Sequence, residues 1–407
     1  MKRTNIYSDD IYQYSLDHGT DIFTEYKLES TTDERRQEIE DWLFNLMRSK
    51  NVIPIQILNE NEEAQDMISL SERSVEDSYD FENGDYKTNS VGVTFLNRFY
   101  AKELCDIRKP NAPKTIEEGF HDDKTLKRVI RKALKYTSDE TGIFRWLILA
   151  GGCGNCSNYR PASAKALYEI FGKKENCRVI DSSAGYGARM LGAHLATNVI
   201  EYLGIDPNTA DSAQEEIRYL DEKYPTGTKK QVLKMGSEDF TPENFPQYQN
   251  YFDLYFTSPP YFQQEMYSDD ETQSYKKFPT YSGWCSGFLQ STIDNMCSAL
   301  KIDGVFAINI YEKVPNIKKI IQLFLANNGF YVFRNDKYLL KTMPGGKKNK
   351  DGSVEVRSRD KYSNFEPVWY AKHYSQLYKE GLITKEQAQQ FRERAIKDTH
   401  RDEVKID

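Results

Sequence analysis

The stretch that decides the fold is "VIDSSAGYGARMLGA", Val179 to Ala193. An apolar run closes on Asp181, passes two serines and enters Ala184-Gly185-Tyr186-Gly187, after which apolar residues return at helical spacing. This reads as a buried strand, a glycine turn and a helix. Working outward, the same alternation continues on both sides. "ASAKALYEIFG" (162–172) precedes it as a helix; "VIEYLGID" (199–206) follows as a strand and "ADSAQEEIRYLDEKY" (210–224) as a helix. "KQVLKMGSEDF" (230–240) holds a short strand, "YFDLYFTS" (251–258) another, and "SGFLQSTIDNMCSAL" (286–300) a helix. "GVFAINIY" (304–311), "NIKKIIQLFLANNG" (316–329), "YVFRNDKYLL" (331–340) and "EPVWYAKHY" (366–374) supply a strand, a helix and two closing strands. Strands alternating with helices predict an α/β fold, doubly wound around a largely parallel sheet.

The residues before this region read differently. "DERRQEIEDWLFNLMRSK" (33–50) has helical spacing, and the acidic, polar stretch from Asn59 to Asn89 reads as loop. The expected division is a mainly helical amino-terminal domain over 1–150, an α/β domain over 151–375 and a polar helical tail over 376–407. In "DDKTLKRVIRKALKY" (122–136), Lys124, Lys127, Arg128, Arg131, Lys132 and Lys135 recur at three- and four-residue steps and share one helical face. Six basic residues without an acid among them suit contact with phosphates, and a solvated face is the other reading.

Composition sets the bounds. The hydrophobic share is 39% and the charged share 29%, which fits a soluble chain with an ordinary core. No apolar run reaches the length of a membrane span, and "MKRTNIYSDDIYQY" lacks the apolar centre of a signal peptide, so a cytoplasmic location is expected. The net charge of −7 excludes a uniformly basic nucleic-acid binder but not a local basic groove. Of six cysteines, only Cys153 and Cys156 in "CGNC" have metal or redox spacing. With no second pair, a glycine turn with two incidental thiols is favoured over zinc, and no metal is expected.

Ligands of open α/β sheets bind beyond the carboxyl ends of the strands. Three such ends carry suitable residues. The first is the turn with Asp181, Ser183, Ala184, Gly185 and Gly187, where small residues let a ligand approach the backbone. Asp206 ends the next strand, about twenty residues on, where an acid accepts ribose hydroxyls. Glu238 and Asp239 in "GSEDF" are acceptors for an adenine amino group. Together they point to an adenosine cofactor. The third glycine of the dinucleotide pattern is missing, and there is no P-loop lysine motif.

"FTSPPYF", Phe256 to Phe262, narrows the reading. Two prolines directly after a buried strand end it and fix the chain stiff and extended. "DSSAGYG", "GIDPN" and "TSPPY" in this order resemble the S-adenosylmethionine-dependent DNA methyltransferases that modify exocyclic amino groups, over roughly Asn158 to Lys372. The motif order, cofactor turn before catalytic loop, fits one circular arrangement of that family. Ser182 stands where the family often has proline. The resemblance implies a Rossmann-like class I methyltransferase domain, with S-adenosyl-L-methionine as cofactor and double-stranded DNA as partner. A homodimer is left open, and a prokaryotic or phage source is implied. It casts Arg160, in "NYRPASAK", within the remaining cofactor motif. Ser258 and Pro259 become the acceptors of the target amine, Pro260 the second stiffener, and Tyr261 the ring that stacks on a flipped base. In the family it resembles, serine at the first position of this loop goes more with cytosine N4 than with adenine N6, so the resemblance implies a mild preference for cytosine. For DNA contact, Lys127, Arg128 and Arg131 compete with the loop 263–284 and with the basic segment 341–363, which includes Lys347, Lys348 and Arg357. An RNA base methyltransferase and a catalytically silent nucleic-acid-binding subunit are the alternative readings.

Overall fold

The computed structural model describes residues 6–87, 89–311, 314–339, 347–348, 354–355 and 365–398. The chain divides into two compact units. One holds Met1–Ile68, Gly92–Asn158 and Phe262–Gln273; the other holds Ser69–Val91, Tyr159–Tyr261 and Ser274–Asp407. This partition differs from single cuts at residues 150 and 375, because each unit draws in a segment from the other side of the cut.

The first unit is helical. Helices α1 (Ser8–His18), α2 (Asp33–Lys50), α3 (Asn97–Cys105), α4 (Ile116–His121), α5 (Asp123–Tyr136) and α6 (Gly142–Leu149) build it. Side chains set where they start. Thr32 accepts from the Arg35 N–H, Thr115 and Glu118 form a reciprocal capping box, and Asp122 accepts from the Lys124 N–H. Helix α5 buries the adjacent pairs Thr125-Leu126, Val129-Ile130 and Ala133-Leu134, a stripe repeating every four residues. That stripe joins Ile39, Leu43 and Met47 of α2 and Ile143 and Leu147 of α6 in one core. Burying this stripe, at about 1.5–3 kcal/mol for each large aliphatic residue, is what holds α5 helical despite its charge.

The second unit is a nine-stranded sheet. Its strands are β1 (Tyr79–Asp80), β2 (Asp85–Tyr86), β3 (Cys177–Asp181), β4 (Val199–Ile205), β5 (Lys229–Leu233), β6 (Phe252–Thr257), β7 (Leu300–Asn309), β8 (Phe330–Leu339) and, after the two-residue pair β9 (Lys347–Lys348) and β10 (Val354–Glu355), β11 (Phe365–His373). Helices α7 (Pro161–Phe171) and α8 (Ala188–Leu195) precede and follow β3 in the chain. The order across the sheet is β1-β2-β8-β11-β7-β6-β3-β4-β5. Strands β7, β6, β3, β4 and β5 run parallel, and β11 is antiparallel to both β7 and β8. All six residues of β6 are buried, as a central strand covered on both faces requires. The fold is therefore the expected doubly wound, largely parallel α/β sheet of Rossmann-like type. The chain moves outward through β3, β4 and β5 and then returns to β6 on the other side of β3. That reversal puts a topological switch point between β3 and β6.

One sequence expectation fails. The stretch 59–89 is not loop: it contains the helices Glu60–Ser71 and Val75–Ser78 and the strands β1 and β2. Asn59 caps the first helix by accepting from the Asn61 and Glu62 N–H groups. Two-residue strands carry no periodicity of their own; β2 exists because Asp85 and Tyr86 pair with Lys337 and Tyr338 of β8. Among the described residues no helix is long and apolar enough to cross a membrane.

Candidate active site

The loops after β3, β4 and β6 leave the same edge of the sheet, since these three adjacent strands are parallel. The carboxyl end of β3 is fixed by Asp181, which has no exposed surface. Its Oδ2 accepts from Arg189 Nε at 2.7 Å and from the Tyr202 hydroxyl at 2.7 Å. Its Oδ1 accepts from the Thr257 hydroxyl at 2.8 Å and from the Ser183 N–H at 3.1 Å. One carboxylate thus ties β3, β4, β6 and the following helix, α8, together. Burial works against the Arg189 guanidinium, yet Asp181 holds its pKa above the ordinary range. With its lone pairs used inside the protein, Asp181 shapes the turn rather than presenting an oxygen to a ligand.

The turn itself needs its glycines. Gly185 and Gly187 have φ of 59° and 73°, in the left-handed region that a side chain disfavours. Ser183 and Gly185 are half-buried and Ala184 is buried. Asp206, just past β4, locks the turn from the neighbouring strand end. Its Oδ2 accepts from the Gly185 N–H at 2.9 Å, and its Oδ1 accepts from the Asn208 and Thr209 N–H groups, both at 2.9 Å. Burial raises the Asp206 carboxyl above its usual range, while these N–H groups pull it back. Three bonds leave Oδ2 with one further lone pair for a donor.

After β5, residues Ser237–Asp239 form a short 3-10 turn. It is held by Asn295, whose amide donates to the Ser237 and Glu238 carbonyls, and by the Ser237–Thr292 hydroxyl pair at 2.8 Å. Lys277 bonds Glu238 Oε1 and lies 3.0 Å from Asp239 Oδ2. Burial lowers the Lys277 pKa, but the two carboxylates more than restore it. Glu238 Oε2 is buried and has no hydrogen-bond partner among the described residues. An orphaned buried acceptor beside the end of a strand is the opening a ligand donor would fill, since such an atom costs about 1–3 kcal/mol unpaired. The small-residue turn, the spare lone pair on Asp206 and the orphaned Glu238 oxygen fit an adenosine cofactor. Arg160, buried, lies at the start of α7, with its guanidinium 5.8 Å from the Tyr338 ring centre.

The Ser-Pro-Pro-Tyr corner leaves β6 on the same edge. Ser258 and Pro260 are half-buried and Pro259 is buried. Tyr261 is only 7% exposed; its hydroxyl donates to the Asn309 carbonyl at 2.6 Å, and its ring lies 5.6 Å from that of Tyr311. The open stacking face expected of Tyr261 is thus largely covered by its own surroundings. Phe262, next in the chain, has φ of 54°, an uncommon value for a bulky residue. Two residues that sequence reading missed belong here. Asn309 Nδ2 donates to Ser258 Oγ at 3.4 Å and to Glu366 Oε2 at 2.5 Å. An asparagine closing the apolar run "GVFAINI" at a ligand-side strand end was the available signal; Glu366 gave none, because its place follows from sheet register.

Of the predicted DNA-contact residues, those on α5 belong to the first unit. Lys127, Arg128 and Arg131 are exposed on α5. Arg131 is committed to Glu40, at 2.8 Å, and Lys127 sits 4.7 Å from the centre of the Phe44 ring. Lys347 and Lys348 are described in backbone only, as β9, and Arg357 lies outside the described residues. Cys153 is buried, its thiol pushed up to about 11 by that burial. Among the described residues no three histidine, cysteine or acidic side chains gather as a metal site would need.

Among solved structures, the chain resembles a precorrin-6y C5,15-methyltransferase from Geobacter metallireducens at 14% identity and a TM-score of 0.32, covering 52% of this chain and 87% of that one. It also resembles an S-adenosylmethionine-dependent O-methyltransferase from Thermotoga maritima at 13% identity and a TM-score of 0.33, covering 54% and 68%. At these values the likeness says nothing about substrate. A search of curated proteins finds no match. A family model described as DNA methylase, for N6 and N4 methylation, matches residues 252–407. It begins on β6 and takes in the Ser-Pro-Pro-Tyr corner. The cofactor that goes with this family is S-adenosylmethionine. The likeness to that DNA methylase family is thus carried by residues 252–407, the part of the chain that holds β6 and the corner after it.

Proposed function

We propose that the protein transfers a methyl group from S-adenosylmethionine to the exocyclic amino nitrogen of a base flipped out of double-stranded DNA, with cytosine N4 favoured over adenine N6. The observation that carries this is the shared edge: the Ser258–Tyr261 corner and the glycine turn flank one switch point of the sheet. When bound, the cofactor supplies an electrophilic methyl on a sulfonium. The turn Ser183–Gly187 gives it room, Asp206 accepts from a ribose hydroxyl, Glu238 and Asp239 accept from the adenine side, and Arg160 borders the remaining part. Asp181 acts by holding the turn.

An exocyclic amine is a poor nucleophile because its lone pair is delocalised into the ring. The Ser258 hydroxyl and the Pro259 carbonyl accept its two N–H bonds and favour a pyramidal nitrogen as it attacks. Pro259 and Pro260 fix φ, so the acceptors are aimed before the base arrives, which is electrostatic preorganisation. Tyr261 walls the corner and meets the base along its uncovered edge. Lys127, Arg128, Arg131, Lys347, Lys348 and Arg357 are the candidate phosphate contacts, and the enzyme works on DNA in the cytoplasm of a prokaryotic or phage-infected cell.

Incubation with methyl-labelled S-adenosylmethionine and unmodified duplex DNA, RNA or neither tests the reading, followed by sequencing that detects N4-methylcytosine and N6-methyladenine. Label on DNA at an amino group is expected. Label on RNA alone, or none, sinks it.

A further inference from the structure

Asn309 grips both ends of the four-residue corner. Its side-chain amide reaches Ser258 Oγ and its main-chain carbonyl takes the Tyr261 hydroxyl. It is 2% exposed, so these bonds form in a dry environment where each is worth more than in water. Strand register explains the grip. Thr257 of β6 pairs with Ile308 of β7, which puts Asn309 beside Ser258. The β7–β11 ladder continues one step past Asn309, where the Ile310 N–H donates to the Pro367 carbonyl at 2.9 Å. That step brings Glu366 alongside, and its Oε2 accepts from Asn309 Nδ2 at 2.5 Å.

We infer that Asn309, oriented by Glu366, is a positioning residue for methyl transfer; this rests on the function proposed above. A serine hydroxyl carries one proton and two acceptor sites and rotates freely unless held. A donor fixed on one acceptor site leaves the other, and the proton, in defined directions. Asn309 is that donor, so Ser258 meets the target amine with a lone pair already aimed. The carboxylate makes the choice of donor atom unambiguous: the amide nitrogen must face Glu366, and the same NH2 group then turns its second hydrogen to Ser258. The 3.4 Å separation is long for a hydrogen bond, as bonds of this kind often are before substrate tightens them. The negative charge of Glu366, three hydrogen bonds from the reacting nitrogen, also favours the positive charge that grows there as the methyl arrives.

The test compares steady-state methylation of unmodified genomic DNA by the full chain and by Asn309→Ala, Glu366→Ala and Glu366→Gln. S-adenosylmethionine affinity is measured on each by calorimetry. Removing one aimed, charge-assisted hydrogen bond should lower kcat by about tenfold or more in N309A and E366A. KM for DNA and cofactor affinity should stay within about threefold. E366Q, which keeps an acceptor at the same reach, should be faster than E366A by several-fold. Wild-type transfer with kcat unchanged in E366A, or equal loss in E366A and E366Q, overturns the inference and leaves the function standing. Absence of transfer by the wild type on DNA overturns the function and the inference with it. Should N309A fail to fold, the half-buried Glu366 pair decides alone.

Discussion

Asp206 carries two loads that a substitution separates. Its carboxylate already takes three N–H bonds that fix the glycine turn, and the proposal gives it a ribose hydroxyl as well. Asp206→Ala should weaken S-adenosylmethionine binding by about 1.5–3 kcal/mol, the range for a hydrogen bond to a charged group. Calorimetry showing unchanged affinity would mean that the ribose lies elsewhere. Tyr261→Ala reverses the pattern. Cofactor affinity should hold, while binding of DNA with an extruded base should fall by less than the roughly 1–3 kcal/mol of a fully stacked aromatic ring, because only an edge of Tyr261 is left to meet the base. A fluorescent base analogue at the target reads that loss directly; equal binding by wild type and variant would show that the ring contributes only its hydroxyl bond to Asn309. The two variants together test whether the corner and the turn act on different ligands, which a merely structural role for either does not predict.

At the scale of elements, α5 makes the clearest prediction. Its buried stripe and its basic face were both legible, because one repeat of four residues determines both. Arg131 is set apart by its ion pair with Glu40, so charge reversal there would place two carboxylates together and confuse stability with binding. Reversing Lys124, Lys127 and Arg128 to Glu is the cleaner experiment. If they meet phosphates, DNA affinity falls and the slope of log K against log salt flattens by about 0.9 for each phosphate no longer neutralised. A slope identical to wild type would return α5 to a solvated face. The central strands were legible for a related reason: burial on both faces writes a nearly continuous apolar run such as "YFDLYF", interrupted only by Asp253. Strands β1 and β2 were not, since they exist only through pairing to β8. Neither was the Asn309–Glu366 hydrogen bond, formed across 57 residues of sequence by register in the sheet. Sequence reading reached the motif that leaves the strand but not the neighbours that aim it.

Across the whole molecule, stability should depend on pH through a residue that takes no part in the proposed chemistry. His194, on α8, is 1% exposed. One ring nitrogen faces the Tyr224 carbonyl at 2.8 Å and the other the Thr226 hydroxyl at 3.0 Å, a set that a neutral imidazole satisfies by donating to the first and accepting from the second. Burial, with Lys230 adding to it, lowers its pKa to about 4. The unfolded chain binds the proton near the ordinary histidine value of about 6.5, so between these values the unfolded state holds more protons than the folded one. Stability is therefore complete above that upper value and declines as pH falls through the window towards the lower one. The full loss from this site is about 3 kcal/mol, at roughly 1.36 kcal/mol for each pKa unit. Chemical denaturation at a series of pH values should show this decline in the wild type. His194→Gln, which keeps a donor and an acceptor but does not titrate, should remove most of that slope even if its stability at neutral pH is lower. Carboxylates contribute at the acid end, so the comparison is the difference between the two chains, not the wild-type curve alone. Parallel curves down to about pH 4 would show that His194 is protonated in the folded protein, and that the tight packing between α8 and the segment 224–226 does not exclude the charge.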